Sequence, residues 1–298
     1  MHRMFYLHQK MFFRRALYAG KNKTRTDGHG TLNMKETRFN FGENWKKFLS
    51  DITPERIRLA EESLKKMLDK RDLSGMRFLD IGSGSGLFSL AARRLGADVV
   101  SFDYDESSVR CSRELKEQSG LDRWDIMHGD ALDRKLMERL GMFDIVYSWG
   151  VLHHTGNMLQ AMENAATAVK PDGKLFIALY NDQGRKSRHW RMVKKLYNSL
   201  SAPARPLLLF PVAVRIWALT LIKDLLTGHP LKTWNTYSAN RGMSPWRDIV
   251  DWVGGYPFET AKPDFVFDFY KKRGFSLEAM TVSDGYGCNE YVFSRKHC

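Results

Sequence analysis

The sequence predicts an α/β protein built on a doubly wound, largely parallel sheet, with a helical insertion ahead of its last strands. Three observations predict it. Short apolar strand signals alternate with amphipathic helical ones between residues 77 and 180, the pattern of a sheet covered on both faces. A glycine-rich turn, Gly82-Ser83-Gly84-Ser85-Gly86, falls at a strand-to-helix junction. The rhythm breaks over 183–261 and then resumes with a helix and two strands.

Taken in order, Thr53-Pro54 starts a helix, because Pro suits a first helical position and Ile57, Ala60, Leu64 and Met67 recur at spacings of three and four. Residues 77–81 read as extended, 87–95 as helical, 99–103 as extended, 106–118 as helical, and 124–127 and 143–148 as extended. Met158, Met162, Ala165 and Val169 mark the next helix. Pro171-Asp172-Gly173 is expected to turn the chain into a fifth strand over 174–180. Beyond the insertion, 263–273 reads as a helix closed by Gly274, and 277–282 and 290–294 as a terminal hairpin around Gly285-Tyr286-Gly287.

At 298 residues the chain can hold one large domain with an insertion or two small ones, and either buries an ample core. Its three cysteines are far apart, with no C-x-x-C pair. That pattern predicts a reducing, cytoplasmic setting and no metal site.

The net charge of +13 is unevenly placed. Residues 1–33 are net +6 and 183–261 net +8, so the remainder is net −1. Basicity belongs to the appendages and not to the alternating core. Arg14 and Arg15 interrupt the only apolar run of the first 33 residues, which argues against a secretory signal. Residues 1–35 read instead as a basic leader, with three readings open: a transit peptide, a start assigned upstream of Met34, or a disordered arm. The expected organisation is this leader, a helical cap over 36–72, a core over 73–182 and 262–298, and a helical lid over 183–261.

Glycines at a strand's carboxyl end let backbone N–H groups approach a nucleoside cofactor. Gly82, Gly84 and Gly86 are spaced G-x-G-x-G, and Asp80 precedes them. A carboxylate there repels a pyrophosphate, which argues against a nicotinamide dinucleotide, but suits an ammonium group. Asp103 ends the second strand, where an acid accepts hydrogen bonds from ribose hydroxyls, and Asp130 ends the third, within reach of an adenine amine. Each acid alone could be a helix cap; three in order at three strand ends form a set.

On these residues, 77–181 resembles the class I S-adenosylmethionine-dependent methyltransferases, and most closely their ubiquinone and menaquinone methylase group. Phe78-Leu79-Asp80-Ile81-Gly82-Ser83-Gly84-Ser85-Gly86 matches the family's first motif, Val100-Ser101-Phe102-Asp103 its second and Gly129-Asp130-Ala131 its third. Phe143-Asp144-Ile145-Val146 with Val151-Leu152-His153-His154 matches its fourth strand and the turn after it. Lys170-Pro171-Asp172-Gly173-Lys174-Leu175 matches the entry to its fifth strand, with Asp172 where glycine is commoner. The resemblance implies a Rossmann-like seven-stranded sheet with an antiparallel last strand, and S-adenosyl-L-methionine as cofactor. It implies that Asp80, Gly82, Ser83, Gly84 and Gly86 face the methionine part, Asp103 the ribose, Tyr104, Asp130 and Ala131 the adenine, and that Ser148 lies beside the sulfonium.

Methyl transfer is an in-line displacement with a neutral leaving group, so the protein must align, exclude water and, for a hydroxyl acceptor, remove a proton. His153 and His154, just past the fourth strand, are the candidate bases, and packing in the loop is the alternative for each. Tyr180 and Asn181 at the fifth strand's end, Asn289 and Glu290 at the last strand, Trp45 before the first helix, and Arg241 and Tyr256 in the insertion are the candidate acceptor contacts.

The insertion reads first as a soluble lid. Its basic 185–195 stretch, followed by apolar residues 207–226, also suits peripheral contact of 183–226 with an anionic membrane, and so a lipid-linked acceptor. Ser148-Trp149-Gly150-Val151 replaces the Asn/Asp-Pro-Pro-Tyr/Phe motif of many base methylases and no Pro-Cys nucleophile is present, which argues against nucleic acid as substrate. The expected activity is methylation of a small-molecule, sugar or lipid-linked acceptor, at oxygen rather than nitrogen. Nucleic-acid methylation and a non-catalytic donor-binding scaffold are the competing readings.

Overall fold

A computed structural model describes residues 52–229, 233, 235, 245–283 and 287–296. The leader 1–35, Trp45 and Arg241 lie outside these residues. The described chain falls into two compact units: 52–187 with 258–296, and 188–257. The insertion expected over 183–261 is therefore shorter at both ends. Residues 183–187 and 258–261 belong with the sheet, to which Asn181 pairs Ala261 in a parallel bridge.

The sheet unit opens with α1 (Pro54–Leu68), capped by the Thr53 hydroxyl, which accepts from the Arg56 N–H at 3.3 Å. Strand β1 (Arg77–Ile81) leads into α2 (Leu87–Arg94), β2 (Asp98–Asp103) into α3 (Glu106–Ser119), and β3 (Trp124–His128) into α4 (Arg134–Leu140). β4 (Phe143–Trp149) is followed by a 3₁₀ turn (Leu152–His154) and α5 (Met158–Thr167), and β5 (Val169–Tyr180) leads out of the sheet. The unit closes with α9 (Pro263–Lys271), β6 (Phe275–Thr281) and β7 (Cys288–Arg295).

The seven strands order as β3-β2-β1-β4-β5-β7-β6. Only β7 runs against its neighbours, antiparallel to both β5 and β6. The direction of winding reverses between β1 and β4, the switch point at whose carboxyl edge open α/β sheets bind ligands. Both faces are covered, so strand side chains such as Ile81, Phe102, Val146, Ile177, Tyr291 and Phe293 are almost wholly buried. Each such side chain contributes about 1.5–3 kcal/mol of hydrophobic stabilisation.

Two elements depart from the sequence expectation. β5 starts at Val169 and not at 174, because Pro171-Asp172-Gly173 forms an irregularity within the strand. Phe143 pairs Val169 while Ile145 pairs Lys174, so extra residues on β5 loop out, with Asp172 at φ 59°. A Cβ on Gly173 would sit 2.9 Å from the Lys170 carbonyl oxygen, which fixes glycine at this bulge. The second departure is α4, absent from the sequence reading. It is too short for a periodicity signal and is held by its Asp133 cap, which accepts from the Leu136 N–H at 3.1 Å.

The second unit holds the rest of α6 (Arg185–Ser199), α7 (Arg205–Leu226) and α8 (Pro245–Gly254). Its centre is a buried cation. Lys194, 1% exposed, places its Nζ 4.2 Å above the Trp252 ring and donates to the Trp252 carbonyl. Asn198 extends the tie, donating from Nδ2 to the carbonyls of Lys194 and Gly254, each at 2.8 Å. A cation over an indole with a carbonyl at its head is a low-cost way to bury a lysine.

Candidate donor and acceptor site

The carboxyl edge of β1 and β2 carries the glycine turn. Gly82, Gly84 and Gly86 have φ of 74°, 56° and 78°, the left-handed region that a side chain strains. At Gly82 space is closed as well, since a Cβ would lie 2.3 Å from a Val151 methyl. The turn is pinned to the next strand by the N–H groups of Gly82 and Ser83, which donate to the Phe102 carbonyl at 2.8 and 3.1 Å.

Asp80 is buried, and its Oδ2 accepts from the Ser89 hydroxyl at 2.7 Å, so the first turn of α2 orients the carboxylate. Asp103 joins the turn directly. Its Oδ2 accepts from the Gly84 N–H at 2.8 Å and its Oδ1 from the Asp105 N–H at 2.9 Å. Burial pushes its carboxyl up from 3.8 to about 6, against the lowering effect of those N–H donors. A carboxylate oxygen accepts more than one hydrogen bond, so both retain capacity for hydroxyl donors.

Ser148, at the end of β4, is fully buried and donates its hydroxyl to the Ile81 carbonyl at 3.0 Å, tying β4 to β1 beside the turn. Asp130 caps its own turn, accepting from the Leu132 N–H at 2.9 Å, while Ala131 is anchored by Asn164, whose Nδ2 donates to its carbonyl at 2.8 Å. Tyr104 is 53% exposed, with its carbonyl 2.8 Å from His128 Nε2.

On the β4–β7 side, His153 is buried in an aromatic cluster. Its ring lies 4.2 Å from Tyr180 and 4.5 Å from His154, and Tyr180 reaches Phe258 at 5.2 Å. The chain returning at 258–259 completes this corner: the Glu259 N–H donates to the His153 carbonyl at 3.0 Å, and the Glu259 carboxylate accepts from the Met158 N–H at 3.0 Å. His154 is half-buried at the rim of the same cluster.

Asn181 and Asn289 converge on one residue. Asn181 Nδ2 donates to the Ser283 carbonyl at 3.1 Å, and Asn289 Oδ1 accepts from the Ser283 N–H at 2.9 Å. Both side chains thus shape the approach to β7. Tyr256 is half-buried in the second unit.

A pair that the sequence reading held only in half is Trp149 with Glu290. The indole Nε1 donates to Glu290 Oε1 at 2.7 Å, across the β5 strand that separates them in the sheet. Glu290 is only 3% exposed, so this donor holds a buried carboxyl in place. Trp149→Phe keeps the ring and deletes the donor, and is expected to lower unfolding free energy by about 1.5–3 kcal/mol. Urea unfolding reads this directly, and an unchanged midpoint would show that Glu290 does not depend on the indole.

Residues 53–204 match the family model of a methyltransferase domain. A ubiquinone biosynthesis O-methyltransferase of Brucella melitensis biotype 2 (strain ATCC 23457) is 30% identical over 138 residues, 45% of this chain and 54% of that protein. The protein of the same name from Sinorhizobium medicae (strain WSM419) is 33% identical over 126 residues, 42% of this chain and 50% of its own. The chain spans about half the length of the curated relatives it matches. Among solved structures, magnesium protoporphyrin IX methyltransferase from Synechocystis PCC 6803 is similar at 16% identity with a TM-score of 0.48, over 90% of each chain. By the match of a methyltransferase-domain model to just over half of its length, this chain belongs to the methyltransferase domain family, in the class I group whose donor is S-adenosylmethionine.

Proposed function

We propose that the chain transfers a methyl group from S-adenosylmethionine to a hydroxyl of a small-molecule, sugar or lipid-linked acceptor. The observation that carries this reading is the bonded chain Gly84 N–H to Asp103 carboxylate, with Asp80 oriented by Ser89, at the carboxyl edge of adjacent strands. The residues present fit the donor. Two acids suit its ammonium and ribose hydroxyls, and the Ser83 hydroxyl in the same turn is buried without a hydrogen-bond partner among the described residues.

Bound S-adenosylmethionine supplies an electrophilic methyl on a sulfonium that departs as a neutral thioether. Asp80 would neutralise its ammonium, Asp103 would accept hydrogen bonds from its ribose hydroxyls, and Tyr104, Asp130 and Ala131 would border its adenine. Ser148, immobilised by the Ile81 carbonyl, would give a fixed wall beside the methyl that the donor supplies. His154, half-buried where His153 is packed, takes the hydroxyl proton, and His153 and Tyr180 hold it in place. Tyr180, Asn181, Asn289 and Glu290 form the acceptor wall at the β5–β7 edge.

The preference for oxygen is supported by the Brucella and Sinorhizobium relatives, both ubiquinone biosynthesis O-methyltransferases. Calorimetry with S-adenosylmethionine and the full chain tests the donor: micromolar binding is expected, and none at all would sink the reading. Turnover then tests the base once an acceptor is in hand. His154→Ala is expected to lose about 100-fold or more in kcat, and full turnover in both His153→Ala and His154→Ala would remove histidine from the mechanism.

A further inference from the structure

Helix α7 carries an apolar face that the fold leaves in solvent. Leu207 is 80% exposed, Phe210 67% and Leu225 66%, and Val214 and Ile222 continue the same stripe at helical spacing. Only Leu209 and Trp217 are buried among the large apolar residues described on this helix, while Ile216 and Leu226 are exposed as well, at 41% and 82%. At 1.5 Å per residue the span from Leu207 to Leu225 runs about 27 Å along the helix, with a 45° bend between Ala218 and Thr220.

The surrounding charge says what can cover it. Residues 188–229 hold seven Lys/Arg and a single acid, Asp224. Asp224 is itself buried, accepting from the Thr233 N–H and hydroxyl at 2.7 Å each. No carboxylate is therefore presented to solvent by this stretch, while Arg188, Arg191, Lys195, Arg215 and Lys223 are all exposed. On α6 the exposed Met192 and Leu196 sit among three of these cations. A second copy would bring like charge against like charge. Among the described residues no single helix is long and apolar enough to cross a membrane.

We propose that α7, with the outer face of α6, lies on an anionic lipid surface, its leucines and Phe210 seated below headgroups that the flanking Lys and Arg neutralise. Apolar area and clustered cations together are what interfacial helices use, and neither alone holds firmly. The proposal does not rest on methyl transfer, since donor binding involves only the sheet unit.

Flotation of the full chain at low salt tests it, using vesicles of phosphatidylglycerol and phosphatidylcholine in equal parts and vesicles of phosphatidylcholine alone. Partitioning is expected to be at least about tenfold stronger on the anionic vesicles. Phe210→Glu and Leu225→Glu, each on an exposed site, are each expected to lower it about tenfold, and Lys223→Gln about fivefold. Calorimetry with S-adenosylmethionine on the same variants reads the sheet unit separately and is expected to be unchanged. Absence of flotation at low salt overturns the proposal, including where the chain instead binds polyglutamate as an acidic protein partner would. Flotation undiminished in both Glu variants overturns it too, since charge alone would then suffice.

Discussion

Gly82→Ala is expected to lower stability by about 3 kcal/mol, a fall of roughly 6–12 °C in melting temperature, and to weaken S-adenosylmethionine binding about 100-fold. Two costs add. The backbone at Gly82 has φ 74°, which alanine adopts only under strain, and the new Cβ would meet both Val151 methyls, at 2.3 and 2.5 Å. Val151 follows β4 and cannot withdraw without moving the turn that leads to His153 and His154. The glycine turn must give instead, carrying the Gly84 N–H away from Asp103. Adding Val151→Ala removes the two methyls but leaves a 2.9 Å approach to the Val151 Cβ, so only part of the melting temperature should return. Wild-type melting and donor affinity in Gly82→Ala would mean that the turn is free to shift.

Asp103→Asn is expected to cost about 100-fold in donor affinity and to abolish its pH dependence. In the free protein the Asp103 carboxyl is raised from 3.8 to about 6, so the folded state holds this proton more tightly than the unfolded chain. The stability that this group contributes is therefore fully present below about pH 4 and lost as pH rises through 6. Donor binding has the opposite sign, because ribose hydroxyls need an accepting carboxylate. Wild-type affinity should climb as pH rises from 5 through 6 and level above 7, while the asparagine variant stays flat. Asparagine also turns an NH₂ toward either the Gly84 or the Asp105 N–H, which costs about 1–3 kcal/mol of stability. Calorimetry between pH 5 and 8 reads both proteins, and a flat wild-type profile would separate Asp103 from the donor.

The donor half was legible because its signals are local. Each acid lies at or just past the end of its own strand, and Gly82 to Gly86 sit where a strand gives way to a helix, so the pattern and the contact coincide. Pro171-Asp172-Gly173 misled, because the residues of a turn are also those of a bulge; only pairing with Phe143 and Ile145 distinguishes them. The Trp149–Glu290 bond spans 141 residues of sequence, and no window along the chain contains both partners. The bond from the Glu259 N–H to the His153 carbonyl and the packing of Phe258 on Tyr180 were hidden for the same reason, since both depend on where the chain returns. Helix α8 falls within the helical lid expected over 183–261, for which no separate bounds were read. The exposure of α7 depends on which of its residues pack inward, which composition alone does not reveal.

The reversal of winding sets a measuring task for the seam between β1 and β4. Three register pairs, Phe78 with Ile145, Leu79 with Val146 and Asp80 with Tyr147, join the strand that carries the donor acid to the strand that leads to the histidines. Ser148 fastens the end of that ladder to the Ile81 carbonyl. In-line transfer requires nucleophile, carbon and sulfur to fall on one line within a fraction of an ångström. Under the proposed reaction the seam is the ruler that sets this alignment, and a change in register there would misplace the acceptor while leaving each half intact.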